Sequence, residues 1–62
     1  MRNPERIPDF CNQLSTIWSK VPDWRFGQLM INLFRTIGDP FYYEDDELIK
    51  KIEEIVNYWT EE

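Results

Sequence analysis

Apolar residues recur along this chain every three or four positions, the spacing of one face of an α-helix, and they do so in three separate blocks. In the first block Ile7, Phe10, Cys11, Leu14, Ile17, Trp18 and Val21 fall on one face. Asn3-Pro4-Glu5-Arg6 reads as its start: Asn is a good N-cap, Pro suits the first helical position, and Glu5 suits the positive end of the dipole. Pro8 leaves a second option, a regular helix that starts at Pro8 rather than Pro4. Val21-Pro22 ends the block, because the residue before a proline avoids the helical region. The predicted span is roughly 4–20.

The second block, roughly 24–37, has Asp23 as its expected cap. Phe26, Leu29, Met30, Leu33, Phe34 and Ile37 form its stripe, and Ile31 widens it. Apolar over more than half its circumference, this helix is expected to be the most buried of the three. Gly27 weakens it, which suggests a close approach by another backbone or side chain. Gly38 suits a left-handed helix end, and Pro40 forbids continuation.

The third block, roughly 45–59, begins with Glu44 or Asp45 as cap and places Asp45, Asp46 and Glu47 against the helix dipole. Asp46 with Lys50, and Glu47 with Lys51, are spaced for ion pairs one turn apart. Leu48, Ile49, Ile52, Ile55, Val56 and Trp59 make the buried stripe. No alternating segment is long enough for a strand. The fold class is all-α: a small three-helix bundle forming a single acidic domain over residues 1–62.

Size and charge narrow the function. A chain of 62 residues lies near the lower limit for folding alone, so a partner or a second copy would help it. Twelve acids against seven bases give a net charge of −5. That disfavours direct binding to nucleic acid or to an anionic membrane. One cysteine, Cys11, makes no internal disulfide and suits a reducing compartment. The N-terminal residues lack the apolar core of a signal peptide, and no run reaches the ~20 apolar residues of a membrane span. A cytoplasmic location is the expectation.

Candidate chemistry is sparse. The chain contains no histidine, so it lacks an ordinary general base near neutral pH and an imidazole metal ligand. The acids at Asp39 and Glu44 to Glu47 lack the alternating ligands and central glycine of a calcium loop. Cys11 lies on the apolar face, where a buried inert thiol is expected. No serine has a base partner in view, and no glycine-rich phosphate loop is present. No catalytic residue, metal or cofactor is expected, and the chain does not read as an enzyme. A helix-turn-helix reader is also disfavoured. Its third helix would present Asp46, Glu47, Glu53 and Glu54 against only Lys50 and Lys51, which repels phosphates.

The stretch GDPFYYEDDEL, residues 38–48, sets three aromatics, Phe41 to Tyr43, directly before four acids, Glu44 to Glu47. The acids read as helix-start chemistry. Tyr43 and Leu48 have the spacing of a hydrophobic staple, and Phe41 is expected to enter the core between helices two and three. Tyr42 has no structural task. Ten aromatics are more than so small a bundle hides, and partly exposed Trp and Tyr are what interfaces prefer. The candidate protein-contact surface is therefore Trp24, Tyr42, Asp46, Glu47, Glu53, Glu54 and Tyr58.

The segments RNPERI, VPDWRFGQLMINL with Trp18 ahead of it, and DPFYYEDDEL together resemble a group of very short uncharacterised proteins of Firmicutes-type bacteria and their phages. The resemblance implies a bacterial or phage intracellular protein and carries over no functional residue. The expected function is an acidic protein-binding module. It would act as an inhibitor of a basic host protein such as a defence nuclease. The alternatives are a small structural or regulatory subunit of a larger complex, or a homodimer.

Overall fold

The structure is a computed structural model, and it describes residues 2–60. It consists of α1 (Arg6–Trp18), α2 (Phe26–Ile37) and α3 (Asp45–Thr60), and no strand occurs among the described residues. The chain is an all-α three-helix bundle, as its periodicity predicts.

Helix α1 begins at neither proline. The Asn3 Oδ1 accepts the Glu5 N–H at 3.0 Å, and a turn through Pro4 closes with Arg6 N–H to Asn3 O and Ile7 N–H to Pro4 O. The regular helix follows from Arg6, with Pro8 in its first turn. The missing N–H of Pro8 costs nothing there, because first-turn donors have no helical acceptor. The helix stops at Trp18, ahead of Val21-Pro22. Two further turns, Lys20 N–H to Ile17 O and Val21 N–H to Trp18 O, bring Val21 into the core.

Asp23 is not the cap of α2. Trp24 N–H bonds to Val21 O, so Pro22 and Asp23 are used up by a turn. The cap is Arg25, in extended conformation, and the Gln28 side chain reaches back to accept the Arg25 N–H at 2.7 Å. Gly38 ends the helix at a φ of 74° and donates its N–H to Phe34 O. Glycine is favoured at that φ because a Cβ would clash with the backbone.

The core comprises Ile17 in α1's last turn and Val21 just after it, Leu29 and Leu33 of α2, and Ile49, Ile52, Ile55 and Val56 of α3. The most buried helix is thus α3, not α2. Both other helices pack on α3, and far more than on each other. With only one close neighbour, α2 cannot bury a stripe wider than half its circumference. Phe26, Ile31 and Phe34 stay 48%, 47% and 42% exposed.

Helix α1 runs parallel to α3. Arg6 meets Asp45 at 2.7 Å at one end, and Lys20 meets Asn57 at 3.4 Å at the other. Helix α2 returns antiparallel, with Trp24 against Trp59. The expected pairs Asp46–Lys50 and Glu47–Lys51 are not formed as salt bridges among the described residues. Lys51 instead reaches Glu54 at 3.6 Å, and Glu44 and Asp45 are engaged by Arg2 and Arg6. Gly27 has nothing within 4 Å of where a Cβ would sit, so no other element among the described residues requires its lack of a side chain.

Candidate interaction surface

Tyr42 is 88% exposed, and Phe41 beside it is 77% exposed rather than in the core. The reason is the turn that carries them. Asp39 Oδ1 accepts the Phe41 N–H at 2.9 Å, and Tyr43 N–H bonds to Pro40 O at 3.1 Å. These bonds close a tight loop whose two outer side chains have no route inward. The rings meet each other edge-on, 4.9 Å apart. Tyr43 and Leu48 are both half-buried, the degree a staple requires.

The acids divide between two flanks of α3. At about 100° per residue, Asp46 and Glu53 share the side nearer α1, and Glu47, Glu54 and Tyr58 share the side nearer α2. All five are exposed. Lys50 lies between the two rows.

Three of the expected contact residues gather at the C-terminal half of α3. Tyr58 is 66% exposed and packs edge-on against Trp59 at 5.5 Å, and Trp24 also packs edge-on against Trp59, at 6.2 Å. Glu54 lies one turn before Tyr58. Tyr58 and Trp59 line a cleft of about 370 Å³ whose other walls are Asn32, Arg35 and Thr36 of α2 with Glu54 and Ile55 of α3. A second shallow cleft, about 390 Å³, is lined by Trp24, Gln28, Ile31, Asn32 and Trp59. Trp59 and Asn32 are therefore shared by both. Tyr42, in the α2–α3 loop, belongs to neither.

Trp59 and Arg35 were not singled out by the sequence pattern as contact residues. Trp59 continues the buried stripe, three residues after Val56. At that level, however, α2 is only beginning and α1 has ended, so its ring stays 48% exposed with Trp24 and Tyr58 as its aromatic neighbours. Trp24 is half-buried and has a structural part as well: its carbonyl accepts the indole N–H of Trp18.

Cys11 is exposed, contrary to its expected burial. It lies at the border of the α1 stripe, on the side turned from α3, beside Trp18 and Pro22. Among the described residues no group of three or more His, Cys, Asp or Glu side chains could hold a metal ion. None of the described helices is long and apolar enough to cross a membrane.

The fold and surface define a small helical domain with aromatic and acidic side chains facing solvent. No protein-family model, curated protein or solved structure matches the chain significantly.

Proposed function

We propose that this chain is a protein-binding module that docks on a partner with a basic surface, through aromatic side chains set among acids. What supports this is the meeting of Glu54, Tyr58 and Trp59 at one open cleft, with Glu47 two turns away on the same side of α3. Exposed Tyr and Trp supply contact area at low entropic cost, and the neighbouring carboxylates steer a cationic partner and fix its register. Arg35, on the opposite wall, adds one site for a partner carboxylate and so favours some basic surfaces over others. The absence of histidine from the sequence agrees with binding rather than catalysis.

The test begins with affinity capture and purification of a retained partner. Its binding to the wild type and to the Glu53→Lys/Glu54→Lys double variant is then measured at low and high salt. The expected result is weaker binding for the variant, and wild-type binding that weakens as salt rises. Equal affinity of the two proteins at low salt would refute the proposal.

A further inference from the structure

The side of the molecule away from the acids is a groove. Because α1 and α2 pack on α3 and barely on each other, an open trough runs between them. Phe10 and Leu14 of α1 form one bank, Phe26, Met30 and Phe34 of α2 the other, and Leu48 and Ile52 of α3 the floor. Trp18 and Phe26 meet at 5.6 Å at one end, and Pro40 lies toward the other. Every residue lining the trough is apolar.

From this groove we infer that the chain forms a two-fold symmetric homodimer, each copy seating its α1–α2 trough against the other's.

The first reason is area. A folded monomer of 7.6 kDa is expected to expose about 4,300 Å². This chain exposes 4985 Å², an excess of roughly 700 Å², close to the ~800 Å² that each partner gives to a standard interface. Its radius of gyration, 11.9 Å, likewise exceeds the ~10.6 Å of an ordinary domain of this length.

The second reason is charge. Two copies each carrying −5 repel, so they associate only through a face without acids. The trough is such a face. Its floor, Leu48 and Ile52, lies about 180° around α3 from the mean direction of Asp46, Glu47, Glu53 and Glu54. A dimer closed through the trough keeps the acidic sides outermost. A basic heterologous partner gains nothing from charge there.

The third is Gly27. It lies on the α2 face that carries Met30 and Phe34, is exposed, and has no neighbour among the described residues that requires its lack of a side chain. In a symmetric contact it gives the facing helix a low point on which to seat a ring such as Phe34.

The experiment is sedimentation equilibrium of the purified chain, with circular dichroism of each variant. The wild type is expected to be a dimer at micromolar concentration. Phe34→Glu and Phe26→Glu, both at half-exposed positions, are expected to sediment as monomers with helicity retained. Raising NaCl from about 0.05 to about 0.5 M is expected to tighten the dimer by screening like charge, the reverse of its effect on a basic partner. Isotope-filtered NMR on the wild type, which needs no variant, should give contacts between Met30 of one copy and aromatic rings of the other. A wild type still monomeric near 1 mM, on the scale of the weakest specific complexes, overturns the inference. So does a helical Phe34→Glu that remains dimeric, or a dimer whose NMR contacts lie outside the trough. The assay contains no partner, so its outcome is separate from the docking proposal. A dimer that survives Glu53→Lys/Glu54→Lys while partner binding is unaffected defeats only the latter.

Discussion

The indole N–H of Trp18 donates to the carbonyl oxygen of Trp24 at 2.9 Å, and this one bond ties the last turn of α1 to the residue before the α2 cap. Trp18→Phe keeps a ring beside Phe26 and removes the donor. The expected loss is about 1–2 kcal/mol, since the bond is partly buried and the carbonyl is left without this partner. Urea unfolding followed by circular dichroism measures it; an unchanged midpoint would mean that the bond does not hold the turn.

Leu33 is 1% exposed and lies in the core shared by α2 and α3. Leu33→Ala should cost about 2–5 kcal/mol, a large share of the stability of so short a chain. A thermal melt that loses its cooperative transition is the expected outcome.

The two glycines should respond in opposite directions. Gly27 lies inside α2 with open space around it in the single chain, so Gly27→Ala should raise the stability of the monomer, measured below the concentration of dimerisation, by about 0.5–1 kcal/mol. Gly38 has a φ of 74°, so Gly38→Ala should lower it by about 1–3 kcal/mol. Denaturant midpoints of both variants, compared with the wild type, check the signs.

Phe41→Ala and Tyr42→Ala should both melt within about 0.5 kcal/mol of the wild type, as changes to exposed side chains do. A large loss in either would place that ring against the core.

Arg6 and Asp45 join α1 to the start of α3, but their side chains are 42% and 41% exposed. Arg6→Gln should therefore cost under about 1 kcal/mol. Scanning calorimetry of the variant and of the wild type in high salt should show small shifts in Tm.

The helices were legible because their apolar periodicity is strong, and the four residues with the deepest burial, Leu29, Leu33, Ile52 and Val56, all lie on the predicted stripes. Which helix is central was not legible. A stripe records how much of a helix is apolar, not how many neighbours it has; Phe26 and Phe34 belong to the α2 pattern and remain half-exposed for want of a second close helix. Loop side chains are illegible in the sequence for a related reason. Nothing in Pro40-Phe41-Tyr42 distinguishes an inward ring from an outward one until the bond from Phe41 N–H to Asp39 closes the turn. Of the contact residues, Glu54, Tyr58 and Trp24 are gathered around Trp59, whereas Tyr42 and the Asp46–Glu53 row lie elsewhere, because a linear pattern does not show which end of a helix lacks cover.

The central helix is also the last of the three to be synthesised. At a ribosomal rate of about 5–20 residues per second, the 16 residues of α3 take roughly 1–3 s to appear. Until α3 exists, α1 and α2 have no floor to lie on, and their aromatic stripes have no core to pack against. The core therefore cannot close before residues 45–60 are available. That closure brings α1 onto α3 through a contact that joins Arg6 to Asp45 across 39 residues of sequence.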